Sequence, residues 1–114
     1  MTNITGTYEC KADSKGRIML PIALKKQLQN IIKDDFIIKR SVFNKCLEIH
    51  PIAEWNLVVQ EVGKLNRFIK KHNDFIRSYM SGLKRISIDS SNRFLIPKDL
   101  FLYAELDKDI VLSS

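Results

Sequence analysis

Apolar and polar residues alternate in short runs over much of this chain, and the alternation yields to a helical period in the middle and in two short stretches. TYECKA and LKRISI alternate with a period of two, as half-buried strands do. Each run leads into a polar turn and then an apolar tripeptide, Ile18-Met19-Leu20 or Phe94-Leu95-Ile96, which predicts a further strand. Pro21 and Pro97 close these strands, because proline disfavours helical geometry in the residue before it and suits the first position of a helix. Helices are expected next, over IALKKQLQNI and KDLFLYAEL, where apolar residues fall three and four apart. DDFIIKR and DKDIVLS return to strand character, and after the first of these FNK turns the chain into a fourth strand, CLEIH. The stretch PIAEWNLVVQEVGKLNRFIKKHNDFIRSYM predicts one long or two shorter helices. Trp55, Val58, Val62, Leu65 and Ile69 form the apolar stripe, opposite Lys64, Arg67, Lys70 and Lys71.

The recurring order is a repeat. DSKGRIMLP, from residue 13, overlays DSSNRFLIP at a spacing of 76 residues, with four identities and three apolar matches in nine places. Fixed-offset similarity marks a duplicated unit. Asp13 and Asp89 supply turn chemistry, since a short polar side chain can bond its own backbone. Gly16 suits a position with positive φ, and Asn92, at the equivalent place, tolerates that region best after glycine. The organisation expected is a first unit over 1–50, a helical connector over 51–81 and a second unit over 82–114 that lacks its last strand.

Length and composition place the chain among folded soluble proteins: 114 residues suit one compact domain or two very small units sharing a core, with 45% hydrophobic and 28% charged residues. No apolar stretch reaches the roughly 18 to 20 residues of a membrane span, and MTNITGTYECKAD lacks a secretory layout, so a cytoplasmic protein is expected. Cys10 and Cys46 are expected as buried, reduced thiols. Nineteen basic against thirteen acidic residues give a net charge of +6, divided as +4 over 1–50, +4 over 51–97 and −2 over 98–114. A basic body favours a polyanionic partner.

The doubled Asp-x-x-Gly-Arg-apolar-x-apolar-Pro phrase, with a helical segment between the copies and PIAEW after the first, resembles the MraZ family. The resemblance covers residues 6 to 114. It implies an α+β fold, a duplicated AbrB-like swapped-hairpin β-barrel unit with helices between and around the copies. It further implies a bacterial transcriptional regulator, a repressor of the division and cell wall gene cluster. Such a protein would be a ring-like homo-oligomer on the nucleoid, binding double-stranded DNA at tandem, G-containing promoter repeats. The sequence departs from the pattern at Ser91 and Asn92, so the second loop carries less charge.

The resemblance implies that both loops face DNA, and a tight hairpin is slim enough to enter the major groove. Arg17 is then the leading candidate, because a guanidinium grips guanine O6 and N7 with two bonds; Arg93 takes the same role in the second copy. Lys15 suits a guanine or a phosphate, and Lys11 and Arg85 suit backbone phosphates. Another reading is open from the residues alone: Arg17 can pair with Asp13, and Arg93 with Asp89, merely to stabilise the loops. An enzyme is not expected, since Cys10, Cys46, His50 and His72 form no recognisable catalytic or metal-ligand spacing, and no cofactor or small-molecule substrate is implied. A protein-binding module like the antitoxins of the same fold is the alternative, and an RNA-binding or architectural ring is a further one.

Overall fold

The computed structural model describes residues 4–114. The chain is mixed α+β, with elements in the order β1 (Thr7–Lys11), β2 (Arg17–Met19), α1 (Ile22–Gln27), β3 (Phe36–Arg40), β4 (Leu47–Pro51), α2 (Ile52–Gly63), α3 (Lys70–Met80), β5 (Lys84–Ile86), β6 (Arg93–Leu95), α4 (Lys98–Tyr103) and β7 (Asp109–Ser113). Proline punctuation is legible in three places. Pro21, Pro51 and Pro97, all near φ −55 and ψ 141 to 145, sit immediately before α1, α2 and α4. Each therefore stands one residue ahead of the first helical position. Its extended backbone sets the turn from strand to helix.

Strands of one copy pair largely with strands of the other. β1 runs antiparallel to β7, β2 to β6, and β5 to β3, while β3 also pairs with β4. The pairing is pseudo-symmetric: Arg17 faces Leu95 while Met19 faces Arg93, so Ile18 opposite Phe94 marks a local twofold axis. Hydrogen bonds obey the same axis, Leu20 N–H donating to Asn92 O at 2.9 Å and Ile96 N–H to Gly16 O at 3.1 Å. Ile18, Ile38 and Leu100 are wholly buried in a core that also takes Leu20, Leu24 and Phe94. Full burial of each such side chain is worth about 1.5–3 kcal/mol, so the core draws its stability from both copies at once.

The middle forms two shorter helices, one of the two arrangements its periodicity allowed. α2 ends at Gly63, and Asn66 then accepts the Phe68 N–H on its side-chain oxygen at 3.0 Å, a local bond that competes with helix continuation. The predicted stripe is correspondingly broken: Trp55 and Val62 are buried, but Ile69 is exposed beyond the break. α3 is held to the sheet by Lys39, whose Nζ is buried over the Tyr79 ring at 4.3 Å, donates to Arg40 O at 2.6 Å and lies 3.8 Å from Glu48. Among the cysteines Cys10 is buried as expected, and Cys46 is exposed. Cys46 precedes β4, where its carbonyl closes the turn by accepting Ser41 N–H at 2.9 Å and its side chain is left outside the core. No helix among the described residues is long and apolar enough to cross a membrane.

Candidate nucleic-acid interface

The two loops are built by the same bonds. In each, one aspartate organises the turn: Asp13 Oδ1 accepts the N–H of Lys15 at 2.9 Å and of Arg17 at 3.0 Å, and Asp89 Oδ1 accepts those of Ser91 and Arg93, both at 2.9 Å. The Asp13 and Asp89 carbonyls accept from Gly16 and Asn92, each at 3.0 Å. Both residues have positive φ, 83° at Gly16 and 61° at Asn92, which the glycine-to-asparagine exchange predicts. At Gly16 a Cβ would sit 3.4 Å from Ile96 O, against the neighbouring copy's backbone. Gly16→Ala is therefore expected to destabilise by about 1 kcal/mol, whereas Asn92→Gly changes stability by a few tenths, as read by thermal melting.

The same aspartates hold the arginines. Arg17 Nε donates to Asp13 Oδ2 at 2.7 Å, and Arg93 Nε to Asp89 Oδ2 at 3.2 Å. The ion pairs open from the residues alone are present, and each engages its guanidinium through Nε. The Arg17 backbone N–H, and after it the Arg17 guanidinium and the Lys15 N–H, lower the Asp13 pKa to about 2, and the Arg93 backbone N–H leads the same downward shift at Asp89. A depressed carboxylate stabilises the fold above its unfolded pKa and loses that contribution as pH falls through the folded value. Acidification from 3.8 towards about 2 should therefore loosen the first loop. The fall in melting temperature over that window should be smaller in Asp13→Asn.

The structure brings Arg17 and Arg93 onto one surface. β2 and β6 form a two-stranded ribbon whose inner face is Ile18 and Phe94, both buried, and whose outer face is Arg17, Met19, Arg93 and Leu95. The arginines are diagonal neighbours, about 7–8 Å apart at this kind of sheet position. Met19 and Leu95 beside them are 60% and 50% exposed, an apolar strip on a surface bounded by cations. Both loop tips, Asp13 to Lys15 and Asp89 to Ser91, are solvent-exposed at opposite ends of the ribbon.

The remaining candidates are differently placed. Lys15 is exposed on the first tip, and Lys11 is exposed at the end of β1 leading into it. Arg85 lies on β5, with Nε donating to Asp35 Oδ2 at 2.5 Å, which ties it to the start of β3. Reasoning along the sequence missed Lys98 and Lys108. These come from the second copy yet line the same groove as Lys15 and Gly16. Only the pseudo-symmetric pairing, invisible in a linear reading, puts them there.

Comparison with known proteins agrees with the doubled motif. Residues 4–78 match the family model described as "MraZ protein, putative antitoxin-like". Over all 114 residues the chain is 57% identical to a protein of Flavobacterium psychrophilum named transcriptional regulator MraZ, covering 73% of it. It is 54% identical to a protein of the same name from Christiangramia forsetii, covering 74%, and 38% identical over 106 residues to one from Clostridium tetani, 93% of this chain and 71% of that one. A solution structure of PHS018 from Pyrococcus horikoshii overlaps at a TM-score of 0.42 and 12% identity, a similarity too low to inform the fold.

Proposed function

Because this chain belongs to the MraZ family, we propose that it is a transcriptional regulator that binds duplex DNA with the outer face of the β2/β6 ribbon. The observation that carries this reading is the pair of aspartate-braced arginines on one exposed, narrow ribbon. A two-stranded ribbon fits the major groove, where Arg17 and Arg93 would meet guanine edges and Met19 and Leu95 could lie against thymine methyl groups. A separation of about 7–8 Å is close to two base-pair steps of about 3.4 Å, so one chain reads two nearby guanines. Lys15 and Lys11 supply phosphate contacts that set position, with Arg85 reaching a phosphate only by leaving Asp35. The pairing of β1 with β7 and β2 with β6 is the exchange that a swapped hairpin makes, and it supports that description of the fold.

One ribbon makes few contacts, so useful affinity calls for several copies acting together on tandem promoter repeats. The helical arm carries exposed Leu57, Phe68 and Ile69, apolar surface that suits packing between copies in a homo-oligomeric ring. In this reading the protein is a cytoplasmic, nucleoid-bound repressor of the division and cell wall cluster. Selection of duplexes from a random pool, followed by footprinting on that cluster's promoter, tests it. Enrichment of repeated G-containing sites that map to the footprint supports the reading, and recovery of no preferred duplex overturns it.

A further inference from the structure

Four lysine and arginine side chains among the described residues are partly or wholly buried: Arg17, Lys39, Arg40 and Arg93. Three of them have a carboxylate, Arg17 at 2.7 Å from Asp13, Arg93 at 3.2 Å from Asp89 and Lys39 at 3.8 Å from Glu48. Among the described residues Arg40 has none. Its Nε is buried without an acceptor there, and its guanidinium carbon stands 4.6 Å from the centre of the Tyr103 ring. A guanidinium partly withdrawn from water needs a counter-charge, and an aromatic face returns only part of what desolvation costs.

Three elements meet at this guanidinium. Arg40 ends β3, and continuing the β3–β5 register places it opposite Gly82, where α3 has just ended and the chain turns into β5. Gly82 has a φ of 68°, and a Cβ there would lie 3.2 Å from Arg40 Nε and 3.6 Å from Cζ, so the guanidinium fills space that a side chain would crowd. Tyr103 ends α4. Lys84, two residues beyond Gly82 and so on the same face of β5, is exposed and in no ion pair among the described residues. The neighbouring carboxylates are committed elsewhere. Glu105, two residues past Tyr103, is held by Lys45 at 3.1 Å, and Glu48 serves Lys39 and His50.

We propose that Arg40 and Lys84 form a binding site for the phosphate group of a small phosphomonoester. With Nε enclosed, the fork is reached through its two Nη atoms, which suit two oxygens of one oxyanion, and Lys84 adds a second cation for the second charge of a phosphate. The site is remote from the reading loops: Phe36 faces Ile86 on the approach to the second loop, and Arg40 lies four residues, about 13 Å, further along β3. A phosphate held there ties the exit of α3 to α4, so occupancy fixes the helical arm on the core. The inference does not depend on the DNA-binding reading above.

The test uses inorganic phosphate as the probe, titrated into the full chain at constant ionic strength with chloride as the reference. The Arg40 Nε–H resonance should move saturably with phosphate, and calorimetry should show a site that Arg40→Gln abolishes and Lys84→Ala weakens about tenfold. Lys84 is exposed, so an unchanged thermal melt confirms that its variant folds even where Arg40→Gln does not. A stationary Arg40 resonance, or phosphate binding unaltered in Lys84→Ala, overturns the site. Movement of the resonance with duplex DNA and not with phosphate assigns the guanidinium to the DNA backbone, and movement with protein concentration alone assigns it to a carboxylate of another copy; either result overturns the small-ligand site. Failure of the chain to bind any duplex overturns the DNA reading and leaves this one standing.

Discussion

Arg17→Ala should leave a chain that still binds DNA but no longer chooses its sequence. One bidentate arginine–guanine contact discriminates by about 1–3 kcal/mol, which corresponds to about 5- to 150-fold per ribbon. In an assembly that engages several repeats the losses multiply, so preference for the selected duplex should vanish in a competition titration. Arg17→Lys separates charge from shape: it keeps the cation but not the planar fork, so it should preserve the salt dependence and still lose most of the preference. Arg17 is about one-third exposed, and the turn bonds made by Asp13 to the backbone survive its loss. Folding and assembly, followed by circular dichroism and size exclusion, should therefore be unchanged. Retained preference in Arg17→Ala would remove the residue from the reading surface.

The second large effect is on stability. Leu100, in α4, is wholly buried and packs in one cluster with Ile18, Leu20, Leu24 and Phe94. Leu100→Ala removes the side chain from a site that cannot collapse without moving strands of both copies, and the expected cost is about 2–5 kcal/mol. For a domain of this size that lowers the melting temperature by roughly 10–20 °C. Because β1, β2 and β3 find partners in the second copy, unfolding should remain one transition, with both loops lost together. Two resolved transitions, or a loss below about 1 kcal/mol, would contradict a shared core.

The local features of the fold were legible because their causes are local. An aspartate that bonds its own turn, a glycine or asparagine at positive φ and a proline after three apolar residues are each written within nine letters. Partnership was not legible. A three-residue strand such as Arg17–Met19 carries no signal to say which strand it joins, so the composite ribbon emerges only in the fold. The same limit hid Lys98 and Lys108, which lie in the one segment whose net charge is negative. Cys46 misled because its alternating neighbourhood extends one residue ahead of the strand, while periodicity left one long or two shorter helices open in the middle, of which the chain forms two. The arginines were singled out by residue type and position, and the structure shows the pairing of each with its aspartate. The bond through Nε orients the guanidinium and spares the edge that would face a base.

The most direct test is atomic substitution in the DNA. Replacing the guanines of the selected duplex by 7-deazaguanine removes the N7 acceptor and little else, so wild-type affinity should fall about tenfold per contacted guanine. The same replacement should have no further effect on Arg17→Ala/Arg93→Ala. Equal sensitivity of that variant and the wild type would contradict the claim that these two side chains meet the bases.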